Sequence, residues 1–349
     1  MLHHHADVLR SLAQALLGTP EFTPAEVAAE ARVDLQQARR LWRALGFPAI
    51  PDDDRVFTRT DTAMLRAAAA LLEEGVTEPE VLLQLARVIG QALARVAEAQ
   101  VAANADKLED LLQAVDREDE GATDEIVTAT ETLVHTLDPF LSYAWQRHVL
   151  AALSRLAAAG GSHAATSHVL IVGFADLVGF TAISQKLSDR DLAKVVDRFE
   201  ALAYTHIPAR GGRVVKMIGD EVMFVVEDAV EAAEIALALV EAYAGDDAVP
   251  DIRVGLAIGP TLSWGGDLFG PTVNLASRLV NIALPATVLV SDEIGKRLLA
   301  ESRFALRSVR PVELRGIGRV AAWVLRRPAG ASSGEDIIAP PLGASGHRR

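Results

Sequence analysis

The chain changes character at a run of small and polar residues, GGSHAATSH, at positions 160–168. Before this run, Ala and Leu dominate, apolar residues recur at spacings of three and four, and runs of β-branched residues are scarce. That pattern predicts amphipathic helices. After it, β-branched runs alternate with helical segments, which predicts an α+β domain. We therefore predict an all-helical domain over 1–159, a linker over 160–168, a second domain over 169–328 and a disordered Gly-, Ser- and Pro-rich tail over 329–349.

Two segments of the first half carry helix-start signals. Thr23 occupies an N-cap position, with Pro24 at the first helical position and Glu26 at the third, and residues 77–80 (TEPE) repeat this arrangement loosely. We predict a helix start at each segment. A further helix, predicted over 142–159, leads into the linker.

The elements of the second half follow one another as strand, helix, hairpin, helix and strand. This order is the ferredoxin-like βαββαβ arrangement, to which a helix, a strand and an edge hairpin are added. A tight turn at Gly219 and Asp220 joins the strands of the first hairpin. The predicted strands are 169–175, 213–216, 222–226, 252–258 and 287–290, and the predicted helices are 188–204, 229–243 and 272–282.

Composition excludes several classes of protein. A chain of 349 residues, half of them hydrophobic, can bury a core in each of about two domains. Because it has no cysteine, it has no disulfide framework, thiolate zinc site or cysteine nucleophile. Most of the net charge of −13 comes from residues 1–165, where 25 Asp and Glu stand against 14 Lys and Arg. Such an acidic surface disfavours nucleic acid as a partner.

The sequence also gives no sign of a membrane segment. No apolar stretch approaches the roughly 20 residues that cross a bilayer. The N-terminal residues, MLHHH, lack the basic and apolar regions of a signal peptide. We expect a soluble cytoplasmic protein with no membrane partner.

The first motif that carries chemistry is FADLVGFT, at residues 174–181. An apolar strand ends in Asp176 and turns through Gly179 into a helix, which directs free backbone N–H groups to the point where the carboxylate lies. A carboxylate beside oriented amides suits a metal-bound polyphosphate. An Asp that only caps the helix explains this motif equally well when it is taken alone.

The second motif is KMIGDE, at residues 216–221. If the hairpin lies beside the first strand, Asp220 meets Asp176, and the two carboxylates repel each other unless divalent cations lie between them. Mg²⁺ fits this arrangement because it takes oxygen ligands and shares itself with substrate phosphates. Gly-Asp is also ordinary turn chemistry, so Asp220 alone does not require a metal.

The third motif is DLFGPTVNLASR, at residues 267–278. Asn274 and Arg278 are four residues apart and share one face of the predicted helix. Arg offers a fixed positive charge to a phosphoryl group, and Asn can orient a ribose or an attacking hydroxyl. A merely solvated helix face is the alternative for this pair by itself.

Together, F-x-D-L-V-G-F-T, K-x-x-G-D-E and D-x-F-G-x-x-V-N-x-A-S-R resemble the class III nucleotidyl cyclases over residues 165–328. The resemblance implies an enzyme that holds two Mg²⁺ or Mn²⁺ ions per active site. It implies that Asp176 and Asp220 are the metal ligands. Lys216 and Asp267 would be the pair that recognises the purine, and Asn274 and Arg278 would act on the transition state.

In that family, the metal residues act from one subunit and the other four residues act from its partner. The resemblance therefore implies that this chain forms a head-to-tail homodimer with two sites. It also implies in-line attack of the ribose 3′-hydroxyl on the α-phosphorus, with the leaving pyrophosphate held by a metal ion and by the amides of Gly179, Phe180 and Thr181.

The choice of base follows from hydrogen-bonding patterns. Adenine offers an amino donor and a ring acceptor, which a carboxylate and an ammonium complement, whereas guanine would set an acceptor against Asp267. Mispaired buried polar groups cost several kcal/mol in discrimination. ATP is therefore the expected substrate.

One departure from the family pattern concerns phosphate binding. Many relatives have Lys-Gly-Lys-Gly near the last hairpin, and the second Lys binds the terminal phosphates. Here the run is RGIGR, with Ile317 at that position. Arg315 or Arg319 can substitute for this Lys. The departure therefore concerns the affinity for phosphate rather than the activity.

The first half resembles the helical regulatory domain of mycobacterial pH-responsive adenylyl cyclases, through FTPAEVA at 22–28 and ARRLWRALGFP at 38–48. This implies control of the catalytic domain by the helical domain. A histidine switch is one hypothesis, because His titrates near neutral pH. The alternative is that these histidines are surface residues without a role. The histidines concerned are His135, His148, His163 and His168.

Two other functions compete with this interpretation. Residues 23–45 have some features of a helix-turn-helix, with Arg39, Arg40 and Arg43 on the second helix, which would suit a transcription factor. The acidic surroundings disfavour it. An ATP-binding pseudoenzyme is the second alternative, and the presence of all six expected side chains disfavours it.

Overall fold

The computed structural model describes residues 2–117, 119, 121–158, 167–242 and 250–328. The chain divides into two compact units, Met1–Ser162 and His163–Arg349, which are taken in turn. Residues 160–166 of the predicted linker, and the whole predicted tail 329–349, lie outside the described residues. Within the described part, no helix is both long enough and apolar enough to cross a membrane.

The described residues of the first unit form seven helices, which confirms the all-helical prediction. One isolated bridge pairs Phe22 with Phe57. The helices are α1 (Leu2–Leu17), α2 (Pro24–Ala31), α3 (Leu35–Ala44), α4 (Arg59–Glu73), α5 (Pro79–Ala103), α6 (Ala105–Asp116) and α7 (Ala122–Ala158).

Helix α2 begins where the sequence predicts. The side chain of Thr23 accepts a hydrogen bond from the Glu26 amide at 3.3 Å, and the Glu26 carboxylate accepts one from the Thr23 amide at 2.8 Å. Pro24 stands at the first helical position, where its missing N–H costs nothing. These reciprocal bonds satisfy two of the amides that every helix N-terminus leaves free.

Two separate apolar clusters stabilise the first unit. The larger cluster joins the helices α2, α3, α4 and α5 around Trp42. The ring of Trp42 stacks on that of Phe57, with centroids 4.4 Å apart. The smaller joins α1, α6 and the start of α7 around Val8, Leu111 and Ile126.

The second unit contains an eight-stranded sheet and five helices among its described residues. The strands are β1 (Ser167–Leu177), β2 (Arg213–Ile218), β3 (Glu221–Val226), β4 (Ile252–Trp264), β5 (Asp267–Phe269), β6 (Val288–Ser291), β7 (Ala305–Leu314) and β8 (Gly318–Arg326). The helices are α8 (Phe180–Ser184), α9 (Asp189–Ala209), α10 (Ala229–Glu241), α11 (Pro271–Ile282) and α12 (Asp292–Leu298).

The strand order is β2-β3-β1-β4-β6-β8-β7, with β5 paired to the far end of β4. The first four strands in this order are antiparallel neighbours, and with α9 and α10 they form the ferredoxin-like βαββαβ core. β6 then joins β4 in parallel. The predicted α+β, ferredoxin-like fold class is therefore confirmed.

The sheet is covered on both faces. Helices α9, α10 and α12 pack on one face around Phe199, Ile235 and Leu256. Helix α11 packs on the other face around Phe174 and Met223. This helix comes so close to β4 that a methyl group on Gly255 would lie 2.3 Å from the backbone nitrogen of Val280.

Four elements differ from the prediction. β4 continues beyond the predicted 252–258 to Trp264, and the short strand β5 that pairs with it was not predicted. β1 begins at Ser167, inside the predicted linker. The helix predicted over 142–159 is the second half of α7, which begins at Ala122 and runs through Pro139.

Candidate active site

The end of β1 forms the centre of the candidate site. Asp176 lies directly opposite Glu221 of β3 on one side and opposite Arg253 of β4 on the other. Because directly opposed residues of antiparallel strands share a face, these three charged side chains lie together. They are on the face that α11 covers, since Phe174, two residues before Asp176, packs there.

The turn between β2 and β3 places Asp220 beside this group. The amide of Leu177 donates a hydrogen bond of 3.1 Å to the carbonyl oxygen of Asp220, which fixes the turn against the end of β1. The charge of Asp220 contributes to the raised pKa of Asp176. The fold therefore brings together Asp176 and Asp220, the two predicted metal ligands, 44 residues apart in the chain.

The negative charges of the acidic side chains at the end of β1 are not fully compensated, and the pKa values of two of them are raised. Burial raises the pKa of Asp176, and the charge of Asp220 adds to this, while Arg253 opposes it. For Glu221, burial and the charges of Asp176 and Asp220 raise the pKa to about 7. Carboxyl groups with raised pKa values in one cluster indicate a place where positive charge would be stabilised.

Arg253 supplies the nearest positive charge. Its Nε lies 2.6 Å from Oδ2 of Asp176, and its Nη1 donates to the carbonyl oxygen of Asn281, near the end of α11, at 3.1 Å. Sequence reasoning missed both Arg253 and Glu221. The available signals were a lone Arg in the apolar strand IRVGLAI and an acidic residue directly after Asp220.

The carboxylates fit a divalent cation that shares its coordination with substrate. Among the described residues, no group of three or more His, Cys, Asp or Glu side chains is arranged to enclose a metal ion. Mg²⁺ does not need such an enclosure, because it commonly takes one or two carboxylates and completes its shell with water and phosphate oxygens. Asp176 and Asp220 supply those oxygens, and the raised pKa of Glu221 reports the charge that a cation would neutralise.

The turn after β1 presents backbone N–H groups at the same end of the sheet. Gly179 has a φ of +73°, which a residue with a side chain rarely adopts, and it precedes the first turn of α8. Its carbonyl oxygen accepts hydrogen bonds from Ala182 and Ile183 at 3.0 and 3.1 Å. The amides of Phe180 and Thr181 begin the helix and have no partner within it, which leaves them available to an anion.

Lys216 and Asp267 form an ion pair, although 51 residues separate them in the chain. Lys216 lies on β2 opposite Met223, and therefore on the α11 face. Asp267 opens β5, and its Oδ1 accepts a hydrogen bond of 2.8 Å from the amide of Leu268. Both side chains are partly exposed, so that their polar ends can reach a ligand.

Asn274 and Arg278 lie on the outer face of α11. Both are more exposed than Ala276 and Leu279 of the same helix, which are buried against the sheet. Two helical positions four residues apart point the same way. The six predicted residues are therefore all associated with one face of the sheet. Asp176, Lys216 and Asp267 lie on its strands, and Asp220 lies in the turn between β2 and β3. Asn274 and Arg278 lie on the helix that covers this face.

The last hairpin contains Ile317, which stands where many family members have a phosphate-binding Lys. Ile317 lies in the turn between β7 and β8 with 39% of its surface exposed. Arg315 and Arg319 flank it and are also exposed.

Some side chains of the predicted helix-turn-helix are engaged within the first unit. Arg39 forms an ion pair with Asp52. Arg43 donates from Nε to the carbonyl oxygen of Arg39 at 3.2 Å.

Two family models match the chain. The model described as "Adenylate and Guanylate cyclase catalytic domain" matches residues 163–327, and the model described as "Adenylate cyclase regulatory domain" matches residues 3–155. Between them they extend over both units. The second match includes residues 23–45 and assigns them to a regulatory domain.

Curated relatives match over most of their length. A protein named adenylate cyclase from Streptomyces coelicolor is 37% identical over 338 residues, which cover 88% of this chain and 87% of the relative. One of the same name from Glutamicibacter nicotianae is 35% identical, covering 93% and 84%. A protein of Mycobacterium tuberculosis named pH-sensitive adenylate cyclase is 32% identical, covering 89% and 81%.

These relatives align with the present chain across both of its units. The matches therefore extend to the whole architecture, and they agree with the motifs and with the ferredoxin-like sheet. The chain belongs to the class III adenylate and guanylate cyclase family, and within it to the members in which an adenylate cyclase regulatory domain precedes the catalytic domain.

Proposed function

We propose that this chain converts ATP into 3′,5′-cyclic AMP and pyrophosphate. The observation that carries the proposal is the convergence of Asp176 with Asp220, and of Lys216 with Asp267, on one face of the sheet. The names of the relatives support the same activity, since three that align with most of this chain are called adenylate cyclases.

The reaction is an intramolecular phosphoryl transfer, in which positioning and electrostatic stabilisation supply most of the catalysis. Asp176 and Asp220 would hold Mg²⁺ or Mn²⁺, two ions per site, which when bound supply Lewis-acid stabilisation and lower the pKa of the ribose 3′-hydroxyl. Asn274 orients the ribose for in-line attack on the α-phosphorus. Arg278 stabilises the charge that develops on the phosphoryl oxygens.

The same chain offers donors to the leaving pyrophosphate. The amides of Gly179, Phe180 and Thr181, which follow the end of β1, would donate hydrogen bonds to the phosphate oxygens of the pyrophosphate. The exposed guanidinium group of Arg315 or Arg319 would take the role of the lysine that many family members have at the position of Ile317. The proton of the 3′-hydroxyl passes to solvent, since a hydroxyl whose pKa is lowered by a bound metal ion needs no side chain as a general base.

Selection of adenine is assigned to the ion pair between Lys216 and Asp267. The ammonium donates to the ring nitrogen acceptor of adenine, and the carboxylate accepts from its amino group. Guanine reverses both roles and would leave a carboxylate facing a carbonyl oxygen. ATP is therefore the proposed substrate.

We assign the active form to a head-to-tail homodimer with two sites. The metal residues of one copy would face Lys216, Asp267, Asn274 and Arg278 of the other. An apolar patch on the arm formed by β4 and β5 supports pairing between copies. Its members, Leu262, Phe269 (directly opposite Leu262) and Trp264, expose 43%, 47% and 60% of their surface.

Control by the first unit, and through it by pH, is the regulatory part of the proposal. The relative named pH-sensitive adenylate cyclase supports it. His135 and His148 are exposed on α7, and Nδ1 of His135 lies 2.8 Å from the carbonyl oxygen of Glu131. His163 and the side chain of His168 lie outside the described residues. Superimposable pH–rate profiles for the full chain and for residues 165–349 would contradict this control.

One assay tests the activity itself. Full-length protein incubated with ATP and Mn²⁺ should release cyclic AMP, and Asp176→Asn or Asp220→Asn should abolish the release while the circular dichroism spectrum stays unchanged. A folded protein that binds ATP without releasing cyclic AMP would be a pseudoenzyme. Salt-sensitive binding to random duplex DNA would support the transcription-factor alternative instead.

A further inference from the structure

Strand β2 holds one residue more than β3 over the length in which the two strands pair. Val214 lies opposite Phe224, and Lys216 lies opposite Met223, the neighbouring residue of β3. Val215 therefore has no counterpart of its own, which is the pairing of a β-bulge. This bulge comes directly before Lys216, the lysine of the proposed purine pair.

The bulge places two consecutive side chains on one face of the sheet. In a regular strand, successive side chains alternate between the faces. Val214 packs against the apolar cluster under α9 and α10, and Val215 packs against the cluster under α11. Lys216 does not return to the first face, because it lies opposite Met223, a member of the α11 cluster. Met217 packs against the first cluster again, so the alternation resumes after the bulge.

Two residues can therefore meet two different demands at one level of the strand. Val215 supplies apolar packing to the cluster that contains Met223. Lys216 is relieved of that packing, and it pairs with Asp267 while 36% of its side chain stays exposed. Without the extra residue, Lys216 alone would stand opposite Met223, and its side chain would have to cover the apolar surface that Val215 now covers.

The two members of the ion pair are positioned in different ways. Asp267 is fixed locally, since its Oδ1 accepts a hydrogen bond of 2.8 Å from the amide of Leu268. Lys216 carries its charge on a flexible four-carbon stem, so the direction in which the stem leaves β2 decides where the ammonium can reach. Strands β2 and β5 contact each other, which brings Asp267 within this reach. Bulges beside active sites commonly redirect a side chain in this way.

We propose that the bulge at Val215 determines the choice of base, because it directs Lys216 towards Asp267. Val215 is then a positioning residue, which acts through the backbone that it adds to β2 and not through contact with the nucleotide. The inference rests on the proposed function, in which Lys216 and Asp267 select adenine.

Deletion of Val215 tests the proposal in the full chain. The deletion leaves Val214 opposite Phe224 and Lys216 opposite Met223, so the other pairs of the hairpin are preserved. The probes are 3′-deoxy-ATP and 3′-deoxy-GTP with Mn²⁺, which lack the attacking hydroxyl and report binding without turnover. We expect the ratio of the dissociation constant for the guanine probe to that for the adenine probe to fall about tenfold.

A ligand without a base shows whether the effect is specific. The affinity for inorganic tripolyphosphate should be the same in the wild type and in the deletion variant, because a change in Lys216 alone alters contacts with the base. An unchanged ratio for the two nucleotide probes in a folded deletion variant would overturn the proposal. An equal loss of affinity for all three ligands would also overturn it, since that result reports general damage to the site.

Substitutions at the same position keep the proposal testable if the deletion variant does not fold. Val215→Ala and Val215→Gly both remove the apolar packing, but only glycine also loosens the backbone of the bulge. Val215→Ala should keep the wild-type ratio within about twofold, and Val215→Gly should lower it by at least about threefold. The matched control Val214→Ala, on the other face of β2, should not change the ratio. Equal ratios in the alanine and glycine variants at position 215 would contradict a role of the backbone.

Assay of cyclic AMP and of binding in the same samples separates this inference from the proposed function. Wild-type protein that prefers the adenine probe, and whose preference survives both deletion of Val215 and Val215→Gly, contradicts the role of the bulge alone. Protein whose preference depends on the bulge but that releases no cyclic AMP from ATP contradicts the proposed catalysis alone. Equal binding of the two probes by the wild type would contradict base selection by Lys216 and Asp267, and the role of the bulge with it.

Discussion

The guanidinium of Arg253 contacts the carboxylate of Asp176, with Nε 2.6 Å from Oδ2, and both side chains are largely buried. The same guanidinium bonds the carbonyl oxygen of Asn281. Arg253 therefore links the predicted metal ligand on β1 to the end of α11, the helix that carries Asn274 and Arg278. A single side chain thus holds together two parts of the site that the chain places about 100 residues apart.

Removal of this guanidinium should destabilise the protein. Arg253→Gln leaves the carboxylate of Asp176 buried without its opposite charge, and we expect the free energy of unfolding to fall by roughly 3 kcal/mol. Asp176→Asn in the same background should recover most of the loss, because no buried charge then remains uncompensated. Urea unfolding at pH 7 without divalent cations measures both variants. Strictly additive effects of the two substitutions would contradict an energetic link between these residues.

Glu221 should make stability depend on pH. Its pKa of about 7 in the folded chain, against 4.5 in the unfolded chain, means that the folded state holds the proton more tightly. The stabilising contribution is complete below pH 4.5 and is lost as pH rises through about 7, at a cost on the order of 3 kcal/mol. Urea unfolding in EDTA between about pH 5 and 8 measures this fall.

Two comparisons identify the source of that dependence. Glu221→Gln should flatten the profile, whereas Glu227→Gln, at an exposed position just after β3, should leave it unchanged. Added Mg²⁺ should also reduce the fall in stability at neutral and higher pH, since a cation favours the charged carboxylates. A profile that is the same for the wild type and Glu221→Gln would assign the dependence to other groups.

Replacement of Lys216 should weaken selection of the base. Lys216→Met removes the donor to the ring nitrogen of adenine and leaves Asp267 without its partner, so we expect the ratio of kcat/KM for ATP over GTP to fall by about 10- to 100-fold. Lys296→Met provides the control, because Lys296 pairs with Asp292 on the surface of α12. An unchanged ratio in Lys216→Met would remove this residue from base recognition.

The strands and helices of the catalytic unit could be predicted because each has its own periodicity, and the ferredoxin-like order followed from their succession. β5 could not, because three residues are too short to show an alternation. The helix predicted over 142–159 started too late, since α7 begins at Ala122 and continues through Pro139.

The site was predictable to the extent that its residues lie within motifs. The turn at Gly219 and Asp220 could be predicted, but its place beside Asp176 was conditional on the hairpin lying next to the first strand, and the roles of the six residues came from the resemblance to a family. Arg253 and Glu221 were not predicted as site residues, because their place in the site depends on strand register. The antiparallel pairing of β1 with β3 and β4 places Glu221 and Arg253 opposite Asp176. Local sequence does not determine the register between such distant segments.

A mixture of two inactive variants tests the composite site. Asp176→Asn disables the metal side of a site, and Arg278→Ala disables the side proposed to come from the other copy. A heterodimer of the two holds one site with both lesions and one site with none. Coexpression at equal levels should therefore give about one quarter of wild-type cyclase activity, because half of the dimers are mixed and each has one intact site of two.

The matched control for this mixture coexpresses Asp176→Asn with Asp220→Asn. These two lesions lie on the same side of a site, so every pairing of the two chains disables the metal side of both sites and no activity should return. Recovery in the first mixture and none in the control is the result that a shared site requires. No activity in either mixture, although the wild-type protein is active, would mean that each copy builds its site from its own residues.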